Sequence, residues 1–216
     1  MSKKYEIFLF DLDGTITDSA LGITNSVMYA LKKFGIEETD RTKLYKFIGP
    51  PLTESFEKFY GFTKEQSLDG VKYYREYYHD KGIYENRVYD GLEEVLKKIN
   101  EAGKRAIVAT SKPEEYAKII IDHFHLTQYF ACVAGMEMDG GRGTKAQVIT
   151  YALEKNDITD KSKALMIGDR EHDVIGAHEN GLDCLGILYG FGSRKEFEEA
   201  GADYIRENVE DILQFV

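Results

Sequence analysis

The feature that most constrains this chain lies near its start, where the apolar run Ile7-Phe8-Leu9-Phe10 leads straight into Asp11-Leu12-Asp13-Gly14-Thr15. An apolar run of four without a polar break reads as a strand buried on both faces, the kind found inside a parallel sheet. Such a sheet presents its chemistry at the C-terminal ends of its strands. Two carboxylates there are costly, because buried charge needs a cation, hydrogen bonds or solvent. The rest of the chain has to supply those partners.

Beyond this strand the pattern turns helical. Thr17-Asp18-Ser19 offers an N-cap, and Leu21, Val27, Leu31 and Phe34 recur at near-helical spacing until Gly35. Gly49-Pro50-Pro51 is a rigid break. A short helix is expected over 53–60, closed by Gly61. Another is expected from the capping-box spacing Thr63-x-x-Gln66 to about Asp80, with Tyr73/Tyr77 and Tyr74/Tyr78 as i,i+4 pairs. Residues 18–87 are therefore expected to form a helical domain without strands.

From residue 88 strands alternate with helices. Strands are expected at 105–109, 130–134, 164–167 and 184–188, with helices at about 91–103, 114–125, 146–155 and 174–180 and a short last segment at 202–205. Alternation of this kind implies right-handed βα units and a parallel sheet. The expected fold is α/β: a Rossmann-like parallel sheet core, residues 1–17 and 88–216, with helices on both faces and an inserted α-helical cap domain, residues 18–87.

A net charge of -10 argues against a general binder of nucleic acid or anionic membranes. Cys132 and Cys184 each sit in an apolar run and read as buried free thiols. The N-terminal Met1-Ser2-Lys3-Lys4 precedes an apolar run too short for a signal-peptide core, and no run approaches the ~18 residues of a membrane helix. A soluble, cytoplasmic protein, monomer or homodimer, is expected.

Four strand-to-helix junctions carry polar residues: Asp11/Asp13, Thr110/Ser111, the Gly-rich Asp139-Gly140-Gly141-Arg142-Gly143-Thr144-Lys145, and Asp169/Asp173. In a parallel sheet these ends share one edge and can converge. Carboxylates, hydroxyls and one or two cations suit phosphoryl chemistry with a divalent cation. A phosphate beside bare carboxylates is repelled by roughly 4 kcal/mol per unit-charge pair at ~4 Å, and Mg²⁺ commonly sits between the two. Asp11 and Asp169 are the candidate ligand pair, with Asp173 completing the shell directly or through water. Lys145, with Arg142 as competitor, and Thr110 are candidates to hold phosphate; Ser111-x-x-Glu114 also has capping-box spacing. One carboxylate can attack phosphorus while a second moves the proton.

Asp11-Leu12-Asp13-Gly14-Thr15, Thr110, Lys145 and Gly168-Asp169-x-x-x-Asp173 resemble, in order, the four motifs of the haloacid dehalogenase-like hydrolases. Tyr189-Gly190-Phe191-Gly192 and the cap position are similar to the phosphoglycolate phosphatase-like subgroup. The resemblance implies that Asp11 is the nucleophile and that Asp13 is the acid and base, its backbone carbonyl also touching Mg²⁺. Thr110, Ser111 and Lys145 would hold the phosphate, and Asp169 and Asp173 the metal. It further implies a Mg²⁺-dependent phosphatase acting on a small phosphorylated metabolite, phosphoglycolate-like or a nucleoside 5′-monophosphate, through an aspartyl-phosphate. The alternatives are a phosphomutase or pyrophosphatase of the same superfamily, or a non-catalytic binding protein. The cap would close over the site and choose the leaving group.

Overall fold

The structure, a computed structural model, describes residues 4–138 and 141–216. The extreme N-terminus and the first two residues of the Gly-rich loop, Asp139 and Gly140, lie outside the described residues. The chain divides into two compact units, residues 1–17 with 88–216, and residues 18–87.

The first strand, β1 (Ile7–Phe10), is buried at every position. A two-residue strand, β2 (Thr17–Asp18), follows it and pairs with β3 (Arg87–Val88). The expectation of no strand in 18–87 thus fails at its two end residues, Asp18 and Arg87. Their side chains form an ion pair at 3.0 Å.

Between them lie α1 (Ala20–Lys33), α2 (Leu52–Tyr60) and α3 (Lys64–Asp80), with short 3-10 turns. The helix boundaries follow local chemistry. Gly61 closes α2 in the left-handed conformation, and Thr63 and Gln66 form the full capping box of α3. Aromatic packing fills the interior of this unit. Phe56 stacks on Phe62 with centroids 5.5 Å apart and meets Phe47 edge-on at 5.1 Å, and Phe34 meets Phe62 at 4.6 Å. Tyr74 and Tyr78 stack along α3 as the i,i+4 spacing requires, while Tyr73 and Tyr77 turn instead to Phe34 and Tyr29.

The other unit continues with α4 (Leu92–Glu101), β4 (Arg105–Pro113), α5 (Glu114–His123), β5 (Phe130–Met136), α6 (Lys145–Lys155), β6 (Ala164–Gly168), α7 (Glu171–Glu179), β7 (Asp183–Ile187), α8 (Arg194–Ala200) and β8 (Tyr204–Arg206). With β1 these strands form a six-stranded sheet in the order β5-β4-β1-β6-β7-β8, parallel throughout. This is the expected α/β, Rossmann-like sheet. Period-2 alternation sends Ile7 and Leu9 into a cluster with Val148, Ile149 and Ala152 of α6 and Val174 of α7. Phe8 and Phe10 are then assigned to the opposite face, where Phe10 meets Phe130 at 6.2 Å.

Strand order reverses beside β1, which lies between β4 and β6, so Asp11 leaves the sheet at a switch point where open α/β sheets form their crevice. α5 begins at Glu114 as expected, but its cap differs from the one the spacing offered. β4 runs on through Thr110 and Ser111 to Pro113, and Pro113, not Ser111, stands at the N-cap of α5. Extended backbone before a proline is sterically preferred, and it outweighs the capping-box spacing. α8 and a terminal 3-10 turn, Val209–Phe215, have apolar patterns too short to signal themselves.

Candidate active site

The turn after β1 sets the first two carboxylates. The N–H groups of Ile16 and Thr17 both donate to the Leu12 carbonyl, at 2.9 and 3.0 Å, and Gly14 N–H donates to Thr17 O at 2.7 Å. Gly14 has φ +88°, and a Cβ there would stand 2.1 Å from Asp169 Oδ2. Glycine is required on both counts.

Lys145 is the first residue of α6. Thr144 and Gln147 cap that helix reciprocally, which fixes where Lys145 begins. Its ammonium donates to Asp11 Oδ1 at 2.6 Å and to Ala109 O at 3.0 Å, and reaches Asp173 Oδ1 at 2.8 Å. Asp173 also accepts the Arg170 N–H at 3.1 Å, so it caps α7 while facing the lysine.

Asp169 is fully buried at the end of β6. Its Oδ2 accepts the Phe191 N–H at 2.8 Å, and its Oδ1 has no hydrogen-bond partner. The Tyr189–Gly192 segment presses on it: a Cβ at Gly190 would lie 2.4 Å from both Asp169 Cβ and Gly14 O. Tyr189 ties the same segment to the first turn, donating from its hydroxyl to Thr15 O at 3.0 Å. The motif Tyr189-Gly190-Phe191-Gly192 therefore clamps Asp169 against the Asp11–Thr15 turn.

One ligand atom each from Asp11, Asp169 and Asp173 lie within 4.8 Å of one another. Of these three carboxylates, Asp11 and Asp173 contact the Lys145 ammonium. Burial pushes the Asp11 carboxyl up to about 6, with Asp173 and Asp13 adding to the shift and Lys145 opposing it. Burial raises Asp169 well above the carboxylate range, and the Asp11 and Asp173 charges add to this. Burial works to lower Lys145, but Asp11 and Asp173 outweigh it and hold the ammonium above its ordinary value. The lysine is thus a fixed cation. The unpartnered Oδ1 of Asp169, the all-oxygen donor set and the excess negative charge fit a hard divalent cation.

Of the candidate residues, Asp11, Lys145, Asp169 and Asp173 come together in one buried cluster. Asp13 sits beside it with its carboxylate paired to a different cation. Lys112 donates to Asp13 Oδ2 at 2.7 Å, and both side chains are buried. Thr110 is buried within the last half of β4, its hydroxyl accepting the Lys112 N–H at 3.2 Å, and Ser111 is half-buried between them. Arg142 does not join the cluster. Its side chain pairs with Glu137, donates to Gly135 O at 3.1 Å and lies over the Tyr151 ring at 4.1 Å.

Sequence reasoning missed Lys112, although a signal for it existed. Thr110 and Lys112 are two residues apart in an extended segment, a spacing that puts both on one face.

The family model for the haloacid dehalogenase-like hydrolases matches residues 8–187. The chain is 45% identical over 193 residues to a 5′-nucleotidase from Pseudomonas aeruginosa, covering 89% of this chain and 87% of that protein. It is 36% identical over 187 residues to the tyrosine-protein kinase PtkA of Mycobacterium tuberculosis, covering 87% of this chain and 63% of that protein. A crystal structure of a predicted phosphatase from Clostridium acetobutylicum superposes with a TM-score of 0.94 at 48% identity, covering 98% of each chain.

Proposed function

The chain belongs to the haloacid dehalogenase-like hydrolase family, and we propose that it is a Mg²⁺-dependent phosphatase that forms an aspartyl-phosphate on Asp11. The observation that carries this reading is the division of labour between two carboxylates two residues apart. Asp11 shares its ammonium with the acidic cluster, while Asp13 has a lysine of its own and a buried oxygen, Oδ1, without a partner.

Mg²⁺ held by Asp11, Asp169 and Asp173, with the Asp13 backbone carbonyl, would neutralise phosphate charge that the carboxylates otherwise repel. Lys145 and the hydroxyls of Thr110 and Ser111 hold the phosphate oxygens. An Asp11 carboxylate oxygen attacks phosphorus, and the bond from phosphorus to the leaving oxygen breaks with its electron pair going to that oxygen. Asp13 gives that oxygen a proton. The Asp13 carboxylate then takes a proton from water, whose oxygen attacks phosphorus and returns Asp11 as a carboxylate with release of phosphate.

The substrate we assign is a nucleoside 5′-monophosphate. The 45% identity with a protein named 5′-nucleotidase supports it over phosphoglycolate and pyrophosphate. The helical unit, residues 18–87, is the part of the chain we assign as the cap that chooses the substrate. A second reading, transfer of the phosphoryl group to an acceptor other than water, has the similarity to PtkA in its favour.

Phosphate release from a panel of nucleoside monophosphates, phosphoglycolate and pyrophosphate tests the assignment. The expected result is release with Mg²⁺ that EDTA abolishes, and a loss of roughly 10⁵-fold or more in Asp11→Asn, the scale seen when a nucleophile is removed. Wild-type turnover by that variant, or turnover indifferent to EDTA, overturns it. Consumption of substrate without stoichiometric phosphate favours the transfer reading.

A further inference from the structure

We infer that Lys112 is the positioning residue for Asp13, holding one carboxylate oxygen so that the other faces the leaving group. The inference rests on the acid/base role proposed for Asp13.

The Lys112 ammonium lies 2.7 Å from Asp13 Oδ2, a contact between residues 99 apart in sequence. Both are nearly inaccessible, at 8% and 9% exposure. A buried lysine without an anion would be strongly destabilising, so the contact is a built one. The backbone is shaped to deliver it. Thr110 pairs with Gly135 and Pro113 with Met136, so Ser111 and Lys112 fall in an irregularity of the β4–β5 ladder. Such irregularities re-aim a side chain.

Gly135 allows this path, because a Cβ there would stand 2.6 Å from the Lys112 carbonyl. The Thr110 hydroxyl anchors the same turn by accepting the Lys112 N–H at 3.2 Å. Asp13 Oδ1, opposite the anchored oxygen, is buried and has no hydrogen-bond partner.

The carboxylate torsion of an aspartate is broad and roughly two-fold. Without an anchor, Asp13 would sample both orientations, and the fraction aimed at the leaving oxygen would fall. Lys112 removes that freedom. Oδ1 then carries the proton that passes to the leaving oxygen as its bond to phosphorus breaks. Lys145 serves Asp11 and Asp173 instead, so each catalytic carboxylate has its own cation.

The test is leaving-group dependence. kcat/KM covers the steps through departure of the leaving group, so it reads proton delivery without the later hydrolysis step. A nucleoside 5′-monophosphate leaves as a basic alkoxide that needs the proton; p-nitrophenol hardly needs it. Lys112→Met is expected to lower kcat/KM about 10²-fold on the nucleotide and less than about tenfold on p-nitrophenyl phosphate. Lys112→Arg is expected to recover most of the difference.

Should Lys112→Met not fold, Lys112→Gln, which retains a donor, is expected to fall between the two. Equal losses on both substrates, or no loss, overturn the inference, because a merely structural role does not depend on the leaving group. Asp13→Asn run alongside separates the two levels. If it discriminates between substrates as the wild type does, the acid/base reading itself is wrong. If it loses the nucleotide selectively while Lys112→Met does not, only the positioning role falls.

Discussion

The helical unit and the C-terminal edge of the parallel sheet bury different chemistry. In the helical unit the packing is uncharged: Phe56 stacks on Phe62 and meets Phe47 edge-on, among buried Val27, Leu31 and Leu44. At the sheet edge Asp11, Asp169, Asp173 and Lys145 are all at or below 6% exposure, and one oxygen of Asp169 has no partner. Apolar burial stabilises a fold outright, whereas buried charge is at best compensated. The sheet edge therefore gives up stability that the helical packing and the β-sheet core supply, and what it gains is a pre-arranged set of oxygens around a fixed ammonium.

Substitution on each side separates these two uses of burial. The largest effect is expected from Phe56→Ala, which empties the centre of the aromatic stack. It should lower stability by about 3–5 kcal/mol, the usual cost of deleting a buried ring, in calorimetric unfolding. The shift in unfolding temperature produced by Mg²⁺ should stay as in the wild type. A lost Mg²⁺ shift would mean that the two regions are not independent.

Asp169→Asn is expected to do the opposite. The amide oxygen can still accept the Phe191 N–H, while the new NH₂ faces the Asp11 and Asp173 carboxylates, so the metal-free protein should gain about 1–3 kcal/mol at neutral pH. Its response to Mg²⁺ should disappear. The pH dependence follows from the same groups. Asp11 and Asp169 have folded-state pKa values raised above those of the unfolded chain, so in that window the native state holds protons that the unfolded state has lost. Their contribution to metal-free stability is therefore present at low pH and lost as pH rises, through about 6 for Asp11. The advantage of Asp169→Asn over the wild type should widen with pH across this range in thermal unfolding without metal. A constant gap would show that Asp169 is not held protonated by burial.

The smallest effect is expected at the boundary between packing and chemistry. Thr144→Ala removes the cap of α6 and should cost about 1 kcal/mol in denaturant unfolding. Because Lys145 is the next residue, the loss should be accompanied by weaker binding of phosphate or vanadate. Unchanged anion affinity would show that the α6 start is held by packing alone, for instance by Val148 and Ile149.

Much of this was legible in the residues. The unbroken apolar run of β1, the Gly61 and Thr63/Gln66 helix ends and the alternation after residue 88 are local signals, and local backbone sterics and hydrogen bonds act on them directly. The convergence of Asp11, Lys145, Asp169 and Asp173 followed from topology, since parallel strands end on one edge. Ser111-x-x-Glu114 misled because spacing carries no information about the competing preference of extended backbone before Pro113.

The partners of Arg142 and Lys112 were not legible for a different reason. Arg142, in its Gly-rich loop, stood as a competitor to Lys145 for the phosphate, and Lys112 was not a candidate at all. Glu137, the Gly135 carbonyl and the Tyr151 ring claim Arg142, while an irregularity in the β4–β5 ladder turns Lys112 onto Asp13. By itself the sequence determined the order of strands and helices and that acids follow β1 and β6. Only the tertiary structure decided which cation meets which acid, because ion pairing is a short-range contest among side chains brought together from distant parts of the chain.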